Sequence, residues 1–203
     1  MLPRTVRLCL VAGAMLLVGA TATGSATQVI DTLHAAMLDV MRESARLSYQ
    51  ERFSRLAPAI DRAFDLDFMA RKALGQDFDK LDPAKQQRWL QTFRNFMVAN
   101  YAGRFHGYAG QRFESLDEEP SAQGTTLVRT RLIDSTADNI DLTYRLRKAE
   151  AGWRIIDVYL KGTVSELALR RSDFSSLLAR EGFDALVASV DRKVAELASG
   201  KVK

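Results

Sequence analysis

Three stretches decide the fold: Leu127-Val128-Arg129-Thr130-Arg131-Leu132-Ile133, Ile140-Asp141-Leu142-Thr143-Tyr144-Arg145-Leu146-Arg147 and Trp153-Arg154-Ile155-Ile156-Asp157-Val158-Tyr159-Leu160. In the first, Val128, Thr130 and Leu132 alternate with Arg129 and Arg131. In the second, Ile140, Leu142, Tyr144 and Leu146 alternate with Asp141, Thr143, Arg145 and Arg147. Successive side chains of a strand point to opposite faces, so this period of two predicts strands with one buried face. Ser135 to Asn139 and Ala149 to Gly152 carry turn residues, and connections this short join antiparallel neighbours. Gln111 to Leu116 reads as an edge strand, Asp117 to Glu119 as a solvated turn, Pro120 to Gly124 as the turn into the next strand, and Gly162 as the end of the sheet. The expectation is a four-stranded antiparallel meander.

On both sides of this sheet the period changes to that of helices. Val29, Leu33, Met37, Val40 and Met41 recur at helical spacing, as do Phe53, Leu56, Ile60 and Phe64. Asp61 to Leu74 carries a compact apolar set closed by Gly75. Asp82-Pro83 is a strong helix start, an N-cap followed by proline at the first helical position. The helix it opens is expected to reach about Phe105, with Trp89, Leu90, Phe93, Phe96, Met97 and Tyr101 as its apolar face. After the sheet, Ser165 caps a helix to Arg180, and Phe183 to Leu197 forms the last one. The fold class is therefore α+β: helices, sheet, helices, with one sheet face covered.

Residues 1–26 read as a signal peptide and 27–203 as a single domain. Arg4 and Arg7 precede an uncharged stretch from Leu8 to Val18, and Gly19 to Ala26 is a run of small residues. The apolar part is about 11 residues, short of the roughly 20 that span a bilayer as a helix. Cleavage after Ala22 and cleavage after Ala26 both satisfy the small-x-small rule, so the chain is expected in the periplasm. Cys9 is the only cysteine, and it lies within this leader, so the remaining chain has neither disulfide nor thiolate. Removing Arg4 and Arg7 from the 29 basic residues leaves 27 against 25 acidic ones. That balance, with no basic run interleaved with aromatics, argues against nucleic acid as a partner.

Catalytic signals are sparse. His34 and His106 belong to no triad or metal-ligand spacing and read as surface or helix-end residues. A calcium loop counted from Asp77 fails, with Asp82 at its sixth position and Arg88 at its twelfth. Ser165 lacks the glycines of a nucleophile elbow, and Asp157 has no paired base. No metal, cofactor or catalytic residue is expected. The positive signal is apolar: Phe93, Phe96, Met97 and Tyr101 share a helix face, while Leu132, Ile140, Leu142, Tyr144, Val158 and Leu160 belong to the buried side of the sheet. A sheet curled against helices either packs such residues as core or leaves a hollow that takes a ligand.

The run Trp153 to Gly162, then Ser165, Arg170-Arg171, Phe174 and Gly182-Phe183-Asp184-Ala185-Leu186, resembles the MlaC-type family, periplasmic phospholipid-binding proteins also called toluene-tolerance auxiliary proteins. Phe64-Asp65-Leu66, Ala73-Leu74-Gly75 and Phe93 to Tyr101 match it in kind and order. Within the family, Gly162 to Ala168 and Arg170 to Phe174 are most similar to the hopanoid-associated HpnM branch; the commoner branch carries an apolar residue and a tyrosine at the places of Glu166 and Leu169. The resemblance implies an NTF2-like sheet enclosing an apolar cavity, lined by the ten residues just named. It also implies a monomeric shuttle that carries phospholipid or hopanoid between inner- and outer-membrane lipid-transport proteins, as an auxiliary of an ABC transporter that maintains outer-membrane lipid asymmetry. The rival readings are a non-catalytic adaptor with a filled core and a lipid-modifying enzyme.

Overall fold

The computed structural model describes residues 24–134, 137–161 and 163–200. Residues 1–23, which hold most of the expected signal peptide, Ser135, Thr136, Gly162 and residues 201–203 lie outside the described residues. Four helices come first: α1 (Ala26–Glu43), α2 (Tyr49–Ala63), α3 (Leu66–Leu74) and, after a 3-10 turn over Gly75–Lys80, α4 (Pro83–Arg104). The sheet follows as β1 (Arg112–Ser121), β2 (Thr125–Ile133), β3 (Ile140–Ala149), β4 (Gly152–Leu160) and β5 (Val164–Ser165), and α5 (Glu166–Glu181) and α6 (Phe183–Ala198) close the chain. The α+β class is as expected, and the sheet has five strands in the order β1-β2-β3-β4-β5, every pair antiparallel.

Two differences from the expected sheet have physical causes. Asp117 to Glu119 are not a turn, nor are Pro120 and Ser121: all continue β1 past a bulge at Leu116, and the turn is confined to Ala122–Gly124. Their carboxylates have partners across the strands, since Arg129 donates to Asp117 at 2.8 Å and also to Glu119. Cross-strand opposite charges make an acidic stretch a stable strand on a solvated face. The second difference is β5, two residues that pair with Tyr159 and Leu160 before α5 begins.

Five of the six helices start on a side-chain cap. Ser25, Ser48, Asp65, Asp82 and Ser165 each accept a hydrogen bond from a first-turn amide, satisfying donors the helix cannot pair internally. Asp65 also receives Arg147 at 2.6–2.7 Å, and its own amide donates to the carbonyl of Ile155 at 2.9 Å. The Phe64-Asp65-Leu66 motif is thus the joint that fastens the α2–α3 corner to the sheet. Gly182 sits between α5 and α6 at φ +83°, a conformation that L side chains rarely adopt.

The core lies between the helices and one sheet face. Partner registers place Thr130, Leu142 and Leu160 together on that face, and Val128, Tyr144 and Val158 together one step along. The opposite face is ionic: Arg112 pairs with Glu114, Arg129 with Asp117 and Glu119, and Arg131 with Asp141.

Candidate functional site

The ten residues read from the sequence fall on one side of the sheet and the helix packed near it, in two tiers. Phe93, Phe96, Leu132, Leu142, Tyr144 and Val158 are buried, none more than 9% exposed. Met97, Tyr101 and Leu160 are half-buried against that core, and Ile140 is 39% exposed. Exposure therefore rises along β3 from Tyr144 (1%) through Leu142 (7%) to Ile140. Ile140 pairs with Leu132, and Val164, 44% exposed, pairs with Leu160, so the apolar face runs out to solvent at this end of the sheet.

The same end gathers residues that the sequence reading missed. Tyr101 stacks on Phe105, Phe105 meets Phe113, and Phe113 stacks on His34 at 3.7 Å between ring centroids. His34 Nε2 is hydrogen-bonded to the Tyr144 hydroxyl at 2.9 Å. The rings thus form a continuous aromatic wall from α4 across β1 and α1 to β3. His34 is not a surface residue: it is 3% exposed, and burial lowers its pKa to about 3. The signal was present in the spacing, because His34 lies four residues after Ile30 on the buried stripe of α1. His106 is exposed at the end of α4, as expected.

The helix bounding this open end is held by one buried carboxylate. Asp157 accepts from the Ser165 hydroxyl at 2.6 Å, from the Leu167 amide at 3.1 Å and from its neighbour's amide, Val158, at 2.8 Å. Its role is to fix the first turn of α5 against β4, which explains the spacing of aspartate and serine in the motif read above. That turn carries Glu166, paired with Arg170 at 3.4 Å; the two side chains are 25% and 28% exposed. The Arg170 guanidinium lies 5.2 Å from the centre of the Phe96 ring. Tyr101 is close by. Burial pushes its pKa up, with Arg104 pulling it down and Glu166 adding to the rise.

Two open clefts lie elsewhere on the surface. One, of about 610 Å³, is lined by Leu74, Gln76, Asp77, Lys80, Ala168, Arg171, Ser172 and Ser175. The other, of about 390 Å³, lies at the α2–α3 corner beside Arg94, Leu90 and Arg154. None of the ten residues lines either cleft. Among the described residues, no group of three or more His, Cys, Asp or Glu side chains is placed to hold a metal ion, and no helix is long and apolar enough to cross a membrane.

Comparison with curated proteins returns no significant relative. Among solved structures, the fold matches that of a phospholipid-binding protein from Ralstonia solanacearum, determined in complex with a phospholipid. The TM-score is 0.75 at 21% identity, over 86% of this chain and 99% of that one. The sequence model of the MlaC protein matches residues 31–192, from the first helix to the last and through both the Asp65 joint and the Asp157 latch. The chain belongs to the MlaC family.

Proposed function

We propose that this protein is a periplasmic lipid carrier, exported by its N-terminal segment, that takes phospholipid or hopanoid from one envelope membrane and delivers it towards the other. The observation that carries this reading is the graded apolar wall: buried at Tyr144 and Leu142, open at Ile140 and Val164, and continued by the aromatic rings of α4, β1 and α1. An acyl chain laid along this wall contributes about 0.8 kcal/mol for each buried CH₂, so a few chains or one polycyclic skeleton supply ample affinity. By the same arithmetic such cargo does not return to water unaided, and release falls to membrane-bound partners. The shared fold with a protein solved around a phospholipid supports the same assignment.

The close packing of Phe93, Phe96, Leu142 and Tyr144 favours a second reading, an adaptor whose interior stays filled. A lipid-modifying enzyme has less support, since the two groups best suited to acid–base work are engaged structurally, His34 with Tyr144 and Asp157 with the start of α5. Native mass spectrometry of the protein purified from its own envelope, with organic extraction of its contents, separates the readings. Stoichiometric phospholipid or hopanoid is the expected result and names the cargo. A protein that is empty and refuses offered lipid overturns the carrier reading in favour of the adaptor.

A further inference from the structure

At the open end of the apolar wall stands an i,i+4 ion pair on the first turns of α5. Glu166 and Arg170 are held on the first turns of α5 by the Asp157 latch, and theirs is the one ion pair among the described residues with both side chains less than 30% exposed. Arg170 lies over Phe96, one of the ten residues read from the sequence. A lipid whose chains enter past Ile140 and Leu160 leaves its polar head at this rim.

The chemistry of the rim is two-signed. The Arg170 guanidinium only donates, and the Glu166 carboxylate only accepts. A head group that carries an anionic phosphate alone satisfies Arg170 but sets its charge beside Glu166. A zwitterionic head, a phosphate with a tethered ammonium, satisfies both: phosphate to Arg170, ammonium to Glu166. It exchanges one long internal pair at 3.4 Å for contacts of both signs. We infer that Glu166 is a specificity-determining residue that makes the carrier select amine-bearing zwitterionic lipids over anionic ones. This inference rests on the carrier reading and narrows it.

A charge-assisted hydrogen bond at a half-buried site corresponds to a preference of about tenfold. The test is to produce wild type, Glu166→Gln and Glu166→Lys in the periplasm of a host whose envelope contains phosphatidylethanolamine and phosphatidylglycerol. The ratio of the two lipids in each purified protein is then compared with that of the envelope, with circular dichroism to check the fold. The expected result is about tenfold enrichment of phosphatidylethanolamine in wild type, a ratio near that of the envelope for Glu166→Gln, and enrichment of phosphatidylglycerol for Glu166→Lys. Lipid-loaded proteins with the same ratio in all three overturn the role of Glu166 and leave the carrier reading standing. Wild type that co-purifies with no lipid, from this host or its own envelope, overturns both.

Discussion

His34 illustrates how much one side chain can impose on a fold. It is neutral, stacked on Phe113 and hydrogen-bonded to Tyr144, with its pKa lowered by burial from 6.5 to about 3. The unfolded chain therefore takes up a proton at His34 that the folded chain refuses. Between pH 6.5 and 3 the unfolded state binds more protons, so stability falls as the pH drops through that window, by up to about 1.4 kcal/mol per pH unit. His34→Phe removes this slope while leaving the Tyr144 hydroxyl without its partner, at a cost of about 1–3 kcal/mol near neutral pH. Urea titrations at pH 7.5, 6 and 4.5 are expected to show a less stable variant at the highest pH and a flatter dependence below 6.5. Parallel pH curves for the two proteins would show that the imidazole does not titrate as argued. The sequence places His34 on the buried stripe of α1, but histidine is so often a surface residue that the periodicity was outweighed. Only the distant partners Phe113 and Tyr144 explain why it is buried.

At the scale of elements, the local signals were the readable ones. Asp82-Pro83 opens α4 and Ser165 caps α5 because capping chemistry acts over three residues and needs no tertiary knowledge. Strand β1 was harder, since Asp117 and Glu119 look like a turn until Arg129 faces them from the next strand. The start of α1 bears on a question the sequence leaves open, the site of leader cleavage. Ser25 Oγ accepts from the Gln28 amide at 3.1 Å, and Ala26 is fully buried in the core. The Thr27 amide and hydroxyl both donate to Glu118 of β1, at 3.0 and 2.6 Å. Cleavage after Ala26 would remove the cap and a core residue and turn the bonded Thr27 amide into a terminal ammonium. Cleavage after Ala22 keeps all three. The intact mass of the exported protein is accordingly expected to begin at Thr23, and a chain beginning at Thr27 would contradict this. Ser25→Ala is expected to lower stability by about 1 kcal/mol, the usual worth of such a cap.

Across the whole molecule, the covered sheet face and the helices against it were legible in outline, because the period-two and helical patterns are strong. The site was legible only as a set of apolar residues. Phe105, Phe113, Glu166 and Arg170 join it through the way α1, α4 and α5 converge on one end of the sheet, which no window of sequence contains. That convergence gives a test at the rim rather than in the core. Leu142, 7% exposed, is a poor place for a charge, since the fold itself would suffer. Ile140→Glu, at a position already 39% exposed, is expected to change stability by no more than about 1 kcal/mol while sharply lowering the lipid that co-purifies. Undiminished lipid in the folded variant would place the entrance elsewhere.

The far face of the sheet has a consequence of its own. Towards its β1 edge the arginines are engaged in place, Arg112 by Glu114, Arg129 by Asp117 and Glu119, and Arg131 by Asp141, while Arg145 of β3 lies over the ring of Tyr159. Charges cancelled over a few ångströms project little field beyond a Debye length of about 8 Å. The edge built on these pairs keeps its hydration and offers an anionic bilayer no coherent patch of one sign. Sticking is the hazard for any molecule that must visit a membrane and leave it again. On the carrier reading, this paired edge gives head groups little to hold and leaves the open end of the wall to engage them.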